Sequence, residues 1–143
     1  MSRIEIQLPE KFIYETTLTV RASDLNYGAH VGHDRVLTLM QDVRVEFYRT
    51  LGIENELHLD GTIGQVIADV GVVYKSEAFL GDELFFQLGI SNFHRVGFDM
   101  LYHVTQKASG KEVALAKLAI ITFDYAVRKI APMPPALLSK LQS

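Results

Sequence analysis

The chain has 143 residues, of which 48% are hydrophobic and 22% charged, with a formal net charge of -3 and no cysteine. This size and composition are typical of one globular domain, which we expect to span residues 1–143. The acidic balance argues against a nucleic-acid partner, and the lack of cysteine excludes disulfides, thiolate nucleophiles and cysteine metal sites. No signal-like or membrane-spanning apolar run is visible, so we expect a cytoplasmic protein with no membrane partner.

The first half of the chain predicts a strand, a polar turn and a helix. Residues 12–21 are rich in β-branched and aromatic types, which favour a strand. After the turn, apolar residues recur at spacings of three and four, which predicts a helix with Asp34 as its N-cap and Gly52 as its left-handed stop. The apolar stripe consists of Val36, Met40, Val43, Phe47 and Leu51, widened by Leu37, Leu39 and Val45. We expect Arg44, Glu46 and Arg49 to form a solvated charged face.

The second half is strand-like. Segments near 63–77, 83–93, 97–107 and 112–125 alternate or run apolar. The turn signals between them are Gly81-Asp82, Val96-Gly97 and Ser109-Gly110. Prolines end this region, and residues 136–141 predict a short closing helix.

This order of elements predicts an α+β fold, in which an antiparallel sheet wraps around one long central helix. We expect Val72, Phe85 and Ile120 on the outer face of that sheet, where they need cover or tolerate solvent. An open edge strand is also expected. Both features favour a homodimer, with a tetramer as the alternative.

The turn before the helix is the most informative segment. It reads Asp24-Leu-Asn26-Tyr-Gly28-Ala-His30-Val-Gly32-His33-Asp34, which combines acid and amide groups, histidines and glycines. Backbone N–H groups at a helix start can polarise a carbonyl, and a neighbouring side chain can attack or deprotonate beside it. The segment therefore predicts a catalytic or binding site.

The turn and helix resemble those of hotdog-fold thioesterases of the 4-hydroxybenzoyl-CoA / acyl-CoA thioester hydrolase type. In that family the turn reads approximately Asp-x-Asp-x-x-Gly-His-Val-Asn-Asn, and the helix ends acidic-Ala-Arg-x-Glu-Phe-x-Arg-x-x-Gly. Here the helix reads QDVRVEFYRTLG over residues 41–52. Further matches are Gly81-Asp82-Glu83, Arg95-Val96-Gly97, Phe123-Asp124 and Pro132-Met133-Pro134, so the resemblance spans nearly the whole chain.

The resemblance implies a hotdog dimer with two active sites at the subunit interface. Such enzymes hydrolyse an acyl thioester of coenzyme A or of an acyl-carrier protein, without a metal or a cofactor beyond the coenzyme A of the substrate. By position, the family's oxyanion donor corresponds to the backbone N–H of His33. The family's usual carboxylate, the second Asp of the motif, is Asn26 in this chain.

An amide does not act as a general base, so the catalytic candidates are Asn26, His33, Asp24 and His30. Asn26 orients water or donates to the thioester oxygen, or else caps its own turn. Asp24 activates water in place of the missing carboxylate, or else holds the loop. His30 acts as the base, since histidine titrates near neutrality, or else fixes the loop. Asp42 on the helix reaches a substrate only if it lies opposite the apolar stripe.

Binding residues follow from the same resemblance. His94 and Arg95, in the bend between two strands, are expected near the phosphates of coenzyme A, with Lys75 as another basic candidate. Gly32 belongs to the helix start that receives the thioester. Tyr27, Thr62 and Ile63 are candidates for the acyl pocket, with core packing as the alternative for Ile63.

Two other functions stay open at this stage. A module that binds acyl thioesters without hydrolysing them is favoured by Asn26. A hotdog dehydratase or hydratase would need an acid/base pair around the α and β carbons of the substrate, and the helix ending argues against it.

Overall fold

The computed structural model describes residues 3–142, which form six strands, two α-helices and one short 3-10 helix. In chain order the elements are β1 (Tyr14–Thr19), the 3-10 helix (Ala22–Asp24), α1 (His33–Thr50), β2 (Ile63–Tyr74), β3 (Glu83–His94), β4 (Gly97–Gln106), β5 (Glu112–Asp124), β6 (Lys129–Ile130) and α2 (Pro135–Gln142). The α+β class and the closing helix are confirmed. Within the described residues, neither helix is both long and apolar enough to cross a membrane.

The strands form one antiparallel sheet in the order β1-β3-β4-β5-β2, with β6 paired to β5 off this path. The two edges are therefore β1 and β2. Strand β2 is 12 residues long. Its exposed apolar side chains are Ile67, Val70 and Tyr74. A long edge strand of this kind is suited to pairing with another chain.

Helix α1 packs its apolar stripe against the inner face of the sheet. Its buried residues are Val36, Leu39, Met40, Val43, Arg44, Phe47 and Tyr48. They share one core cluster with residues of β3, β4 and β5. Leu37 departs from the prediction because it is 37% exposed. It follows Val36 by one residue, which turns its side chain about 100° away from the stripe.

Helix α1 begins earlier than the sequence predicts. Its N-cap is Gly32 rather than Asp34, with φ -64°, ψ 146° and no side-chain cap. Asp34 lies in the first helical turn, where a carboxylate is stabilised by the positive end of the helix dipole. The predicted stop is confirmed, since Gly52 has φ +80°.

Arg44 contradicts the prediction of a solvated charged face. It is only 3% exposed, because the loop after α1 folds back over it. Its Nε donates to Glu56 Oε1 at 2.6 Å, and its Nη1 donates to the Tyr102 hydroxyl at 3.4 Å. That hydroxyl donates in turn to the carbonyl of Met40 at 3.1 Å. The network ties the middle of α1 to this loop and to β4.

Two residues expected on the outer face are inside. Ile120 is fully buried opposite Phe98 of β4, and Val72 packs against the core. Side chains alternate along a strand, so Leu118 and Ile120 of β5 share the inner face. By the same alternation Phe85, next to the buried Phe86, faces outward.

The chain covers the outer face with its own N-terminal segment, which the sequence did not predict. This segment, residues 3–12, is called the N-terminal arm below. Ile4 lies against Gly71 of β2, Pro9 lies against Gly89 of β3, and Phe12 stacks on His103 of β4 with ring centroids 6.3 Å apart. The arm therefore crosses the sheet from one edge toward the other.

The two glycines under the arm allow a matched test of its packing. A Cβ on Gly89 would lie 2.4 Å from Pro9 Cγ and 3.2 Å from the Lys11 carbonyl oxygen, whereas a Cβ on Gly71 would lie 3.3 Å from the flexible end of Ile4. Gly89→Ala is therefore expected to lower the free energy of unfolding by about 1–3 kcal/mol, by analogy with overpacked cores. Gly71→Ala should change it by less than about 0.5 kcal/mol. Equal values in urea unfolding would contradict close packing of the arm.

Candidate active site

The turn between the 3-10 helix and α1 folds into a small closed loop. Leu25 and Val31 form an antiparallel bridge across it. The Asn26 N–H donates to the His30 carbonyl at 2.9 Å, and the Ala29 N–H donates to the Asn26 carbonyl at 3.1 Å. Ala29 adopts φ +62°, a left-handed conformation that closes the loop. The loop presents its polar side chains beside the first turn of α1.

The buried residue Asp24 holds this loop in place through hydrogen bonds to the residues on either side of it. Its side chain has 0% exposure and accepts from the Arg21 N–H at 2.9 Å and from the Arg21 and Arg35 guanidinium groups at 3.2 and 3.1 Å. Its carbonyl accepts the Gly32 N–H at 3.2 Å. Burial acts to raise the pKa of Asp24, but the hydrogen bonds from Arg21 and Arg35 outweigh it and hold that pKa below its ordinary value. Asp24 thus joins the 3-10 helix to the start of α1.

The start of α1 carries free donors. Among the hydrogen bonds formed within residues 3–142, none uses the backbone N–H of His33 or of Asp34. The carbonyl of His33 accepts the Tyr74 hydroxyl at 2.7 Å, which fixes this turn of the helix to the end of β2. Unpaired N–H groups at a helix start attract a partial negative charge.

Of these two residues, His33 lines a cavity of about 320 Å³ between α1 and the sheet. Its polar residues are Asn26, His30, His33, Tyr74, Lys75, Ser76 and Glu77. Its apolar residues, all buried, are Val31, Val36, Leu39, Ala78, Leu84, Phe86, Val104 and Val113. The arrangement is an apolar chamber with a polar mouth, which is typical of small-molecule sites.

His30 lies at this mouth with a defined orientation. Its Nδ1 lies 3.2 Å from the Val31 carbonyl oxygen, which only accepts, so Nδ1 carries the proton of the neutral ring. Its Nε2 is therefore a free acceptor, and it lies 3.8 Å from Glu77 Oε1. The ring packs over Gly28, where a Cβ would come within 2.9 Å of Nε2. Glycine at position 28 leaves room for the imidazole.

Asn26 and His33 also line the cavity, and Asp24 does not. The Asn26 Oδ1 accepts the Gly28 N–H at 2.9 Å, so one half of the amide caps the turn. Tyr27 is fully exposed at the tip of the turn, outside the cavity lining, and Asp42 is exposed on α1. Gly32 is the N-cap beneath the free donors.

The other candidate binding residues lie at the opposite end of the sheet. Thr62 and Ile63 lie at the start of β2, about 35 Å from its end by the rise of a strand. The Thr62 hydroxyl donates to Asp124 Oδ1 at 2.9 Å. His94 and Arg95 form the β3–β4 turn, beside the same end of β5. Within one chain these four residues do not meet the turn.

The residues that sequence reasoning missed come from the end of β2 and the loop after it. Tyr74, Ser76 and Glu77 line the cavity, together with Lys75, which was predicted only as a phosphate contact. The run Lys75-Ser76-Glu77 is polar, but nothing in its composition indicates that it lies opposite the turn. Within the described residues, no group of three or more His, Asp and Glu side chains is arranged to hold a metal ion.

A comparison with family models tests the resemblance noted in the sequence of the turn and the helix. The thioesterase-like superfamily model matches residues 20–141. The chain belongs to the thioesterase-like superfamily. The resemblance to hotdog-fold thioesterases is thereby confirmed. No curated protein matches the chain in sequence.

Solved structures share the fold of this superfamily member. A 1,4-dihydroxy-2-naphthoyl-CoA thioesterase from Synechocystis has a TM-score of 0.82 at 16% identity, covering 91% of this chain and 96% of that chain. A gentisyl-coenzyme A thioesterase has a TM-score of 0.77 at 16% identity, covering 90% and 99%. A Staphylococcus aureus protein in complex with CoA has a TM-score of 0.83 at 14% identity, covering 96% and 86%. At such identities the likeness establishes the fold.

The anchoring role of Asp24 predicts a pH-dependent loss of stability. Asp24→Asn should lower the free energy of unfolding near pH 7 by about 1–3 kcal/mol, because two guanidinium groups lose a charged acceptor. The pKa of Asp24 is lower in the folded protein than in the unfolded chain, so its charge stabilises the fold at pH values above the ordinary Asp pKa of about 4. This stabilisation is lost as the pH falls through the pKa of the folded state.

Urea unfolding of both proteins near pH 7 and near pH 3 checks this expectation. The difference between wild type and Asp24→Asn should shrink at the lower pH. Asp60→Asn, at an exposed position before β2, is the matched control and should cost less than about 0.5 kcal/mol. A difference that stays constant with pH would show that the Asp24 charge does not stabilise the fold.

Proposed function

We propose that this protein hydrolyses an acyl-CoA thioester to the free acid and the thiol. The observation that carries the proposal is the pair of unused N–H groups of His33 and Asp34 at the start of α1, where His33 lines the mouth of an apolar cavity. The oxygen of a thioester carbonyl at the mouth would accept hydrogen bonds from these N–H groups as it gains negative charge. The helix dipole would strengthen these hydrogen bonds. The acyl group would then extend into the cavity.

The proposed nucleophile is water held between Asn26 and His30. The water oxygen attacks the carbonyl carbon while His30 Nε2 takes one proton. The resulting oxyanion is stabilised at the His33 N–H. When the tetrahedral intermediate collapses, the C–S bond breaks and the thiolate takes the proton from His30. The imidazolium formed between these steps has the Glu77 carboxylate 3.8 Å away.

We favour His30 over Asp24 as the base because of where their acceptor atoms lie. His30 lines the cavity, and its Nε2 has no proton in the neutral ring. Both Asp24 oxygens are occupied by Arg21 and Arg35, outside the cavity lining. A carboxylate so held is a weak base, and removing a proton from water would require it to give up these bonds. Asp24 is therefore proposed as a positioning residue.

The proposal includes a homodimer formed through β2. This edge exposes Ile67, Val70 and Tyr74 along its length. A two-fold axis pairs β2 with itself in antiparallel fashion, so the start of one β2 lies beside the end of the other. Thr62 and Ile63 of one subunit would thus approach the Tyr74 end of its partner, where the turn and the cavity lie.

Such a dimer makes each active site composite. The turn, α1 and the cavity come from one subunit, and the β3–β4 turn comes from its partner. His94 and Arg95 are exposed in that turn, and Lys75 is exposed at the cavity mouth. These basic side chains supply charge for the phosphates of coenzyme A. The split of the predicted residues between opposite ends of the sheet is the observation that supports this arrangement.

One observation favours a second function. The Asn26 Oδ1 is already engaged by the Gly28 N–H, and the family carboxylate is missing at this position. A protein that binds acyl-CoA without hydrolysing it would have this turn. Calorimetry and a thiol-release assay on the same acyl-CoA panel separate the two functions, because tight binding with no thiol release selects the binding module.

The base assignment predicts a large kinetic effect at His30. His30→Gln is expected to lower kcat by ~100- to 10,000-fold, because the glutamine side chain cannot take the proton from water. In that variant, Asn26→Asp should restore part of kcat, because it introduces a carboxylate at the mouth. His58→Gln, in an exposed loop outside the cavity, is the control. Full kcat in His30→Gln would rule out His30 as the base.

The composite site predicts complementation between two inactive variants. His30→Gln damages the turn of a subunit, and Arg95→Glu damages the surface that it offers to its partner. A mixed dimer carries one site with both defects and one site with neither. Co-expression should therefore restore about a quarter of wild-type activity, since about half of the dimers are mixed. Activity no higher than the mean of the separate variants would contradict a shared site.

A further inference from the structure

We propose that the acyl group of the substrate is an unsubstituted aliphatic chain rather than a hydroxylated aromatic ring. This inference rests on the proposed function and concerns the chemistry of the chamber beyond its mouth. The apolar lining residues are eight in number, and each is at most 7% exposed. The polar lining residues all belong to the turn, the first residue of α1, or the segment 74–77 at the mouth.

The contrast matters because a phenolic hydroxyl needs a partner when it is buried. Burying a hydroxyl without a hydrogen bond is costly, so a site for hydroxyaryl groups carries polar side chains along its wall. Inside this chamber the wall consists of Leu39 from α1 and of Phe86, Val104 and Val113 from three strands. None of these side chains donates or accepts. A methylene chain is satisfied by such a wall.

The direction of the chamber follows from the order of the strands. The mouth lies at the end of β2, and the lining continues through Val113 of β5 and Val104 of β4 to Phe86 of β3. Val104 pairs directly with Phe86. Neighbouring strands are about 4.8 Å apart, so three steps extend the chamber roughly 14 Å across the sheet. Val104 lies two of these steps from β2, and Phe86 lies three.

The volume limits the length of the chain. The cavity of about 320 Å³ includes the polar mouth, so the apolar chamber is only part of this volume. An acyl chain longer than the chamber would overfill it, which is unfavourable in a well-packed interior. We therefore assign Val104 and Phe86 as the residues that determine chain length.

The test measures thiol release with straight-chain acyl-CoAs of increasing length, together with benzoyl-CoA and dihydroxybenzoyl-CoA. Wild type should prefer aliphatic substrates, with kcat/KM rising with length until the chamber is full. Val104→Phe should move the optimum to shorter chains and lower kcat/KM for the longest good substrate at least tenfold relative to a short one, roughly the effect of one methylene group too many. Val127→Phe makes the same change at an exposed position outside the lining and is the control.

The possible outcomes distinguish failure of the aliphatic assignment from failure of the proposed hydrolysis. If Val104→Phe does not fold, Val113→Leu fills the chamber nearer its mouth and should shift the optimum in the same direction. Faster turnover of benzoyl-CoA or of dihydroxybenzoyl-CoA than of every aliphatic substrate, or an unchanged length profile in the folded variant, would overturn the aliphatic assignment and leave hydrolysis intact. No thiol release from any substrate by wild type would overturn the proposed function itself.

Discussion

The site depends on a helix that begins without a side-chain cap. Gly32 offers no side chain to the first turn of α1, so the N–H groups of His33 and Asp34 keep their capacity to donate. An uncapped helix start is a cost in stability unless another group receives those donors. The structure compensates nearby, where the buried Asp24 joins Arg21 and Arg35 and holds the turn beside the helix. The ion pairs of Asp24 and the unpaired N–H groups at the start of α1 thus belong to the same local structure.

The sheet divides the proposed chemistry between its two ends. One end brings together the turn, the mouth of the cavity and the segment after β2, and the other carries Thr62, Ile63 and the β3–β4 turn. An edge strand with exposed apolar side chains is the element able to join the two ends, since pairing it with itself reverses the direction of the partner. The N-terminal arm covers the outer face of the same sheet, which leaves the β2 edge as the surface for the proposed dimer.

Local patterns in the sequence predicted much of this fold, and long-range placement was beyond them. The apolar spacing of α1 and the left-handed Gly52 follow from helix geometry, which acts over a few residues. The burial of Arg44 depends on the loop after α1, which brings Glu56 against it. The inward orientation of Ile120 depends on strand register, and a strand with apolar side chains on both faces does not specify that register. Likewise the turn indicates a candidate site in the sequence, but Tyr74 and Glu77 reach the cavity beside it from more than 40 positions away along the chain.

The central claim is that the backbone N–H of His33 stabilises the oxyanion, and a proline at that position tests it directly. Proline is tolerated at the first position of a helix, and Gly32 already has the extended conformation that a residue before proline prefers. His33→Pro removes the N–H, whereas His33→Ala removes only the imidazole. With similar thermal unfolding of the two variants, kcat for acyl-CoA hydrolysis should be ~100- to 1000-fold lower in His33→Pro than in His33→Ala. Equal kcat in the two variants would contradict the account.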